Sequence, residues 1–336
     1  MVTIKDISRA CHVSAATVSK ALNGYGDIGE DTKLKILETA KKMKYMPNAA
    51  ARQLKTNMSY NIGVLFADET SSGLTHEFFN GILDSAKTEA ENLGYDVTFI
   101  TRKIGGKDTS FLEHARYRKC DGVLIASVDF KNPEVVELVQ SDIPVVVIDY
   151  VYDGASSIMS DNTEGEYALT KYLIDKGHKR IAFIHGELTS VTEKRLTGFY
   201  RACAEAGIKV PDEYIEEAKY HDTNACREAT EKLLKLKKPP TAILYPDDFS
   251  FIGAQEAFES MNVSVPDDVS VCGYDGIRLS QVVHPKLTTY FQDTKEIGKK
   301  SAAKLVEMIE KPKTSLTEQI MVQGKIYAGQ TVAEVH

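Results

Sequence analysis

Hydrophobic positions fall into two textures along this chain, with the change near residue 60. In the first part, Ile4, Ile7, Ala10, Val13, Val18, Ala21 and Leu22 follow helical spacing with no strand-like alternation. The pattern predicts two short helices, over about residues 5–11 and 15–22, with Ser14 placed to cap the second. The short link between them fits a helix-turn-helix. A third helix starts at Glu30 or Asp31, with Leu34, Leu37, Ala40 and Met43 as its expected buried stripe. Pro47 halts that helix and Asn48 can cap another. The alanines around Ala51, with Arg52, Leu54 and Lys55, favour a short helix, marginal unless it packs on a partner.

From Asn61 onward, apolar runs of strand length recur: "IGVLFA", "YDVTFIT", "GVLIAS", "IPVVVID", "RIAFIHG", "TAILYP" and "VSVCGYD". Amphipathic stretches separate them, over residues 77–92, 110–118, 133–140, 164–176, 193–206, 225–236 and 249–260. Such alternation predicts parallel sheets of right-handed βαβ units covered on both faces. Seven units are many for one sheet, so two successive sheets divided near Asp161 are expected. The fold class is thus an all-α headpiece plus an α/β core of two doubly wound parallel-sheet subdomains.

"NGYGDIG" contains a G-x-G-x-x-G pattern at Gly24, Gly26 and Gly29. That pattern cradles phosphates only when it follows a strand and opens a helix. Here it follows a helix, and it reads as a connector. Charge then separates the two parts further. Residues 1–57 hold ten Lys or Arg against five Asp or Glu, whereas the remainder carries a formal −12. A basic cap on an acidic body points to a polyanionic partner for the cap alone. Five cysteines, with no C-x-x-C spacing, read as reduced thiols in a cytoplasmic protein. No signal peptide and no apolar run of membrane length is visible, so no membrane association is expected. No metal site or cofactor is expected.

Enzyme chemistry finds little support. "PDDF" offers adjacent carboxylates, but neighbours on a helix do not face one another. No G-x-S-x-G, H-E-x-x-H or P-loop occurs.

The stretches "TIKDISRACHVSAATVSKALNG", "YMPNAAARQLKT", "DGVLIA", "SDNTEG", "GHKRIAFIHG", "RLTGF", "VPDDVSVCGYDG" and "PKLTTYFQD" occur in this order and spacing. In them the chain resembles the LacI/GalR family of bacterial transcription repressors. The resemblance implies a helix-turn-helix headpiece (residues 1–46), a hinge helix and linker (47–58), and a periplasmic-binding-protein-like core. The core would comprise an N-subdomain (59–160 plus 291–322) and a C-subdomain (161–290 plus 323–336). It further implies a dimer on palindromic operator DNA. Ala15, Ala16 and Lys20 would occupy base-reading positions, and Thr3, Ser14, Thr17, Ser19 and Asn23 would lie near the phosphates. Lys20 can donate to guanine, while alanine methyls offer only apolar contact to thymine. In the hinge, Asn48, Ala51 and Lys55 would accompany Leu54, which would wedge into the minor groove and kink the duplex.

For a small-molecule effector between the subdomains, the resemblance carries over Phe78, Phe79, Asp161, Arg195, Asp247, Asp275 and Gln292. His221 or Tyr220 would supply an aromatic face. Carboxylates, an arginine and rings suit a neutral sugar or glycoside. The chain departs from the family pattern at Asp247, where several members carry Asn. Its loop "LTSVTEK" offers no further arginine, against a purine. Its ending "MVQGKIYAGQTVAEVH" carries no leucine heptads, against a tetramer. Control by a purine corepressor or a phosphoprotein is the alternative.

Overall fold

A computed structural model describes residues 2–22, 26–46, 58–67 and 73–335. The chain forms two compact units, residues 1–59 and 60–336.

The smaller unit is helical: α1 (Ile4–Cys11), α2 (Ala15–Leu22) and α3 (Glu30–Lys42). Ile7, Cys11, Val18, Ala21, Ile36 and Ala40 form its buried core. This corrects half of the stripe expected on α3. Leu34 and Leu37 are 55% and 40% exposed, and Ile36 faces inward instead, beside Ala40 and the half-buried Met43 of that stripe. Residues 34, 36, 37 and 40 are all apolar or small, so helical spacing alone allows two faces, and packing against α1 and α2 selects one. At the start of α1, the Asp6 carboxylate accepts from the Thr3 N–H at 2.9 Å and hydroxyl at 2.7 Å.

The larger unit runs β1 (Asn61–Phe66), α4 (Glu77–Asn92), β2 (Asp96–Ile100), a small hairpin of β3 (Lys103–Ile104) and β4 (Lys107–Asp108), then α5 (Phe111–Tyr117). Next come β5 (Gly122–Ala126), α6 (Pro133–Val139), β6 (Val145–Ile148), β7 (Ser156–Ser160) and α7 (Asn162–Asp175). They are followed by β8 (Ile181–His185), α8 (Ser190–Glu205), β9 (Ile215–Glu217), α9 (Thr223–Leu234), β10 (Ala242–Leu244), α10 (Phe251–Met261) and β11 (Ser270–Asp275). The chain ends with α11 (Arg278–Val282), β12 (Thr288–Phe291), α12 (Thr294–Glu310), β13 (Gln319–Val322) and β14 (Lys325–Tyr327).

Two six-stranded sheets result. One has the order β13-β7-β6-β5-β1-β2 and is parallel throughout. The other has the order β14-β12-β11-β10-β8-β9 and is parallel except for its edge strand β14. Helices cover both faces of each: α4 with α12 and α5 with α6 on the first, α7 with α8 and α9 with α10 on the second. The near-continuous apolar runs predicted as strands are buried along their length, as parallel strands between helical layers require. In each lobe the strand order reverses beside the first strand, between β1 and β5 and between β8 and β10. Open α/β sheets offer a ligand crevice at the carboxyl side of such points.

The chain passes between lobes at Asp161, at Gln292–Asp293 and at Gln323–Gly324. These segments are tied to one another. Gln323 Nε2 donates to Asp161 Oδ2 at 2.8 Å, and the Gly324 N–H donates to the Tyr290 hydroxyl at 3.0 Å.

Candidate functional site

In the headpiece, the Ser14 hydroxyl accepts from the Thr17 N–H at 3.0 Å and bonds the Thr17 hydroxyl at 2.8 Å. It thereby satisfies one of the donors that a helix start leaves open. Val18 and Ala21 turn inward, so Ala15, Ala16 and Lys20 are exposed, with Thr17 and Ser19 half-buried. The outer side of α2 is therefore short-chained apart from Lys20, and a groove can approach its backbone closely. The Lys20 ammonium pairs with Asp27 in the loop before α3. That hydrogen bond holds the Asp27 carboxyl below the usual carboxylate range. Asn23, Asn48, Ala51, Leu54 and Lys55 lie outside the described residues.

In the larger unit, Arg195 projects inward from α8 and is only 5% exposed. Its Nε donates to Asn162 Oδ1 at 2.8 Å and its Nη1 to the Pro246 carbonyl at 2.7 Å. Nη2 lies 3.9 Å from Asp275 Oδ1, and the guanidinium stacks 3.6 Å from the Tyr274 ring centroid. One rigid fork thus joins the start of α7, the end of β10 and the end of β11. Burial opposes the Arg195 charge. Tyr220, Tyr274, Asp275 and Glu166 more than compensate, leaving it above the ordinary guanidinium value.

Asp275 ends β11 with φ of 100°, a conformation that L side chains rarely adopt. Gln292 Nε2 donates to its Oδ1 at 2.7 Å, and the Gln292 N–H donates to its carbonyl at 3.1 Å. Burial pushes the Asp275 carboxyl up to about 8, against the pull of Arg195. Asp247 accepts from the Ser250 N–H at 2.7 Å, the Ser250 hydroxyl at 2.8 Å and the His221 N–H at 3.0 Å. His221, also left-handed (φ 58°), lays its ring on Phe249 at 5.1 Å between centroids, with planes 11° apart. Tyr220 reaches the Thr192 hydroxyl at 2.9 Å by passing over Gly186, where any Cβ would fall 2.1 Å from the ring.

Of the carried-over residues, Arg195, Asp275 and Gln292 are in direct contact, and Asp247 with His221 forms a second contacting pair. Phe79 is half-buried and Phe78 buried, their centroids 5.1 Å apart at the start of α4. Asp161 is engaged elsewhere: Oδ1 caps α7 through the Glu164 N–H at 3.1 Å, and Oδ2 accepts from Gln323.

Sequence reasoning missed several groups. Asn162 orients Arg195, and it lies in the quoted run "SDNTEG" next to the residue singled out. Asp149 follows β6 with φ of 57°, its Oδ1 accepting from the Ser160 N–H at 3.0 Å, and burial raises its carboxyl. Glu166, on α7, is pushed up to about 8 by burial, with Arg195 opposing. An acid at the end of an apolar strand run was the available signal for Asp149. Nothing local marks Glu166. A cavity of about 430 Å³ lies at the carboxyl ends of β1, β2 and β5, lined by Phe66, Arg102, Phe111 and Asp129 among others. None of its lining residues was anticipated.

Chemically, the crevice sets one guanidinium among several buried acids. Near neutral pH, Asp275 and Glu166 retain protons and can donate as well as accept hydrogen bonds. Among the described residues, no group of three or more His, Cys, Asp or Glu could hold a metal ion. No described helix is long and apolar enough to cross a membrane.

This geometry, a capped helix-turn-helix and a two-lobed α/β core with a polar crevice, is that of a DNA-binding regulator with a ligand-binding core. Residues 59–329 match the family of periplasmic binding proteins and sugar binding domain of LacI family, and residues 3–48 match the bacterial regulatory proteins of the lacI family. The chain belongs to the LacI family of transcriptional repressors: a DNA-binding repressor with an effector-binding core, and not an enzyme. It is 34% identical to the HTH-type transcriptional repressor PurR of Vibrio parahaemolyticus, over 92% of each chain. It is 35% identical to the probable HTH-type transcriptional repressor ExuR of Bacillus subtilis, over 94% of this chain and 93% of that one. Its fold superimposes on the lac repressor dimer bound to operator and the anti-inducer ONPF with a TM-score of 0.79, at 24% identity over 99% of each chain.

Proposed function

We propose that the protein acts in the bacterial cytoplasm as a homodimer on palindromic operator DNA, switched by a neutral sugar or glycoside bound between the lobes. The lobes are residues 59–160 with 291–322, and 161–290 with 323–336. Exposed Ala15, Ala16 and Lys20 read bases from α2, while Thr3, Ser14, Thr17, Ser19 and Asn23 position the headpiece on phosphates. In the hinge, Asn48, Ala51, Leu54 and Lys55 enter or border the minor groove. Effector binding changes the angle between lobes and costs the operator complex its hinge contacts, with a coupling of about 1–3 kcal/mol.

The observation that carries the effector class is the state of Arg195. Its guanidinium is already held by Asn162, the Pro246 carbonyl and Asp275. A ligand carboxylate or phosphate would have to displace those partners while facing Asp149 and Asp247. Ligand hydroxyls, in contrast, can donate to Asp247 and accept from protonated Asp275, with the His221 and Phe79 rings against the apolar face of a sugar. Asp161 contributes by fixing a crossing segment. A purine corepressor is the second reading, favoured by the relationship to PurR and by the flat His221–Phe249 stack.

A thermal-shift screen of the full chain against sugars, glycosides, sugar phosphates and purines tests this. A selective shift with a neutral sugar, lost in Arg195→Ala, is the expected result. A shift with purines alone replaces the sugar reading with the second one.

A further inference from the structure

His76 and Glu77, neither of them among the residues assigned to the effector above, touch the opposite lobe. The His76 and His221 ring centroids lie 3.8 Å apart, with planes 31° apart. Glu77 Oε1 accepts from the Arg278 N–H at 2.7 Å. His76 precedes the first turn of α4 in one lobe, whereas His221 and Arg278 belong to the other.

The ring contact is one link in a longer ladder. Phe66 meets Phe79 at 5.8 Å, Phe79 meets His76 at 4.9 Å, His76 meets His221, and His221 stacks on Phe249. Both ends of the central link are fixed. His76 is buried against Phe78 and Phe79 at the start of α4. His221 is anchored in a left-handed conformation by its N–H bond to Asp247, which itself accepts two bonds from Ser250. The ladder therefore crosses from the end of β1 to Phe249 in the turn between β10 and α10, and occupies the aromatic surface that an effector would use.

We propose that His76 and Glu77 form a latch between the lobes, and that an effector must part the His76–His221 contact to reach the His221 ring. The proposal rests on the effector reading above. It adds that the ring facing the ligand is covered by a side chain of the other lobe, so that effector and latch compete for His221. Removing the latch at His76 tightens effector binding, because the fraction of molecules with the ring accessible rises. If His76 were an effector contact, its removal would weaken binding.

Two measurements on the full chain separate these outcomes, with Tm recorded to confirm that each variant folds. Amide exchange followed by NMR reads the latch without any ligand. The Arg278 amide is expected to exchange about five- to tenfold faster in Glu77→Ala, as loss of one hydrogen-bond acceptor implies. An unchanged Arg278 rate overturns the Glu77 arm. Titration with the sugar or purine that gives the largest thermal shift reads the competition. His76→Ala is expected to bind it about threefold tighter or more, and His76→Phe, which keeps a ring there, no tighter than wild type. Weaker binding by His76→Ala overturns the latch while leaving the effector site standing. If no compound shifts the wild type, the effector reading fails, and the His76→Ala exchange rates at residues 220–222 still decide the latch: unchanged rates reject it.

Discussion

The outer face of α2 and the crevice around Arg195 both bind ligands in this reading, yet they are built in opposite ways. On α2 the reading residues are exposed, small apart from Lys20, and Lys20 has one partner among the described residues, an exposed aspartate. In the crevice nearly every functional side chain is buried and already bonded: Arg195 to three segments, Asp247 to three donors, Asp275 to Gln292. A face that reads DNA meets a solvated polyanion and can leave its side chains to water until then. A crevice that senses a small molecule must hold its polar groups in place within the fold, so each is also part of the folded structure. Substitutions on α2 should therefore change binding alone, and substitutions in the crevice should change binding and stability together.

The sharpest break in that comparison is Arg195→Ala. It leaves Asn162 Oδ1 and the Pro246 carbonyl without their donor in a buried site, which typically costs about 1–3 kcal/mol for each acceptor left open. Denaturant unfolding at neutral pH is expected to show that loss. A variant as stable as wild type would mean that the guanidinium is dispensable to the fold. Lys20→Ala, on the other side of the comparison, should leave Tm unchanged and weaken the preferred operator by about 1–3 kcal/mol, with discrimination lost at one base pair. Equal weakening on all sequences would make Lys20 a phosphate contact instead.

Glu166→Gln sharpens the contrast through pH. The Glu166 carboxyl stands at about 8 in the folded chain against an ordinary 4.5. The folded state therefore keeps a proton that the unfolded state releases, and stability is lost as pH rises between those values. The variant removes that slope. Its Tm is expected to exceed that of wild type by roughly 2–4 °C at pH 8, with the difference closing toward pH 5. The smallest effect belongs to Asp27→Asn. Freeing Lys20 from its exposed partner should strengthen DNA binding by roughly two- to threefold with no change in Tm. Weaker binding would mean that the pair pre-orients Lys20.

Much of the fold was legible in the chain. "GVLIAS", "IPVVVID", "RIAFIHG", "TAILYP" and "VSVCGYD" are β5, β6, β8, β10 and β11. A strand buried on both faces between helices has to be apolar along its length, and such runs stand out. Besides the short edge strands and the small hairpin, the strands that escaped are β7 ("SSIMS"), β12 ("TTYF") and β13 ("QIMV"). Ser156, Thr288 and Thr289 are buried there although polar. Their burial is tolerable where hydroxyls find distant partners, as Thr289 Oγ1 does with Asp248 at 2.6 Å and Ser156 Oγ with the Glu318 N–H at 3.2 Å. Long-range partners leave no periodic trace.

The same division governs the sites. By itself the sequence determined the short helices of the helix-turn-helix and the Ser14 cap, because those features depend on residues within about one helical turn of each other; Ala15, Ala16 and Lys20 came from the family resemblance, and the structure finds them exposed. Through the family's motifs it also pointed to acids after β10 and at the end of β11, and to an arginine that stands on α8. Only the tertiary structure decided which face of α3 is buried, and that Asp161 is engaged in a crossing. It also decided that Asn162 bonds Arg195, that the buried Asp149 and Glu166 feel its charge, and that His76 reaches His221. Those outcomes are set by contacts between segments remote in the chain, where burial and hydrogen-bond geometry, rather than local spacing, choose the partner.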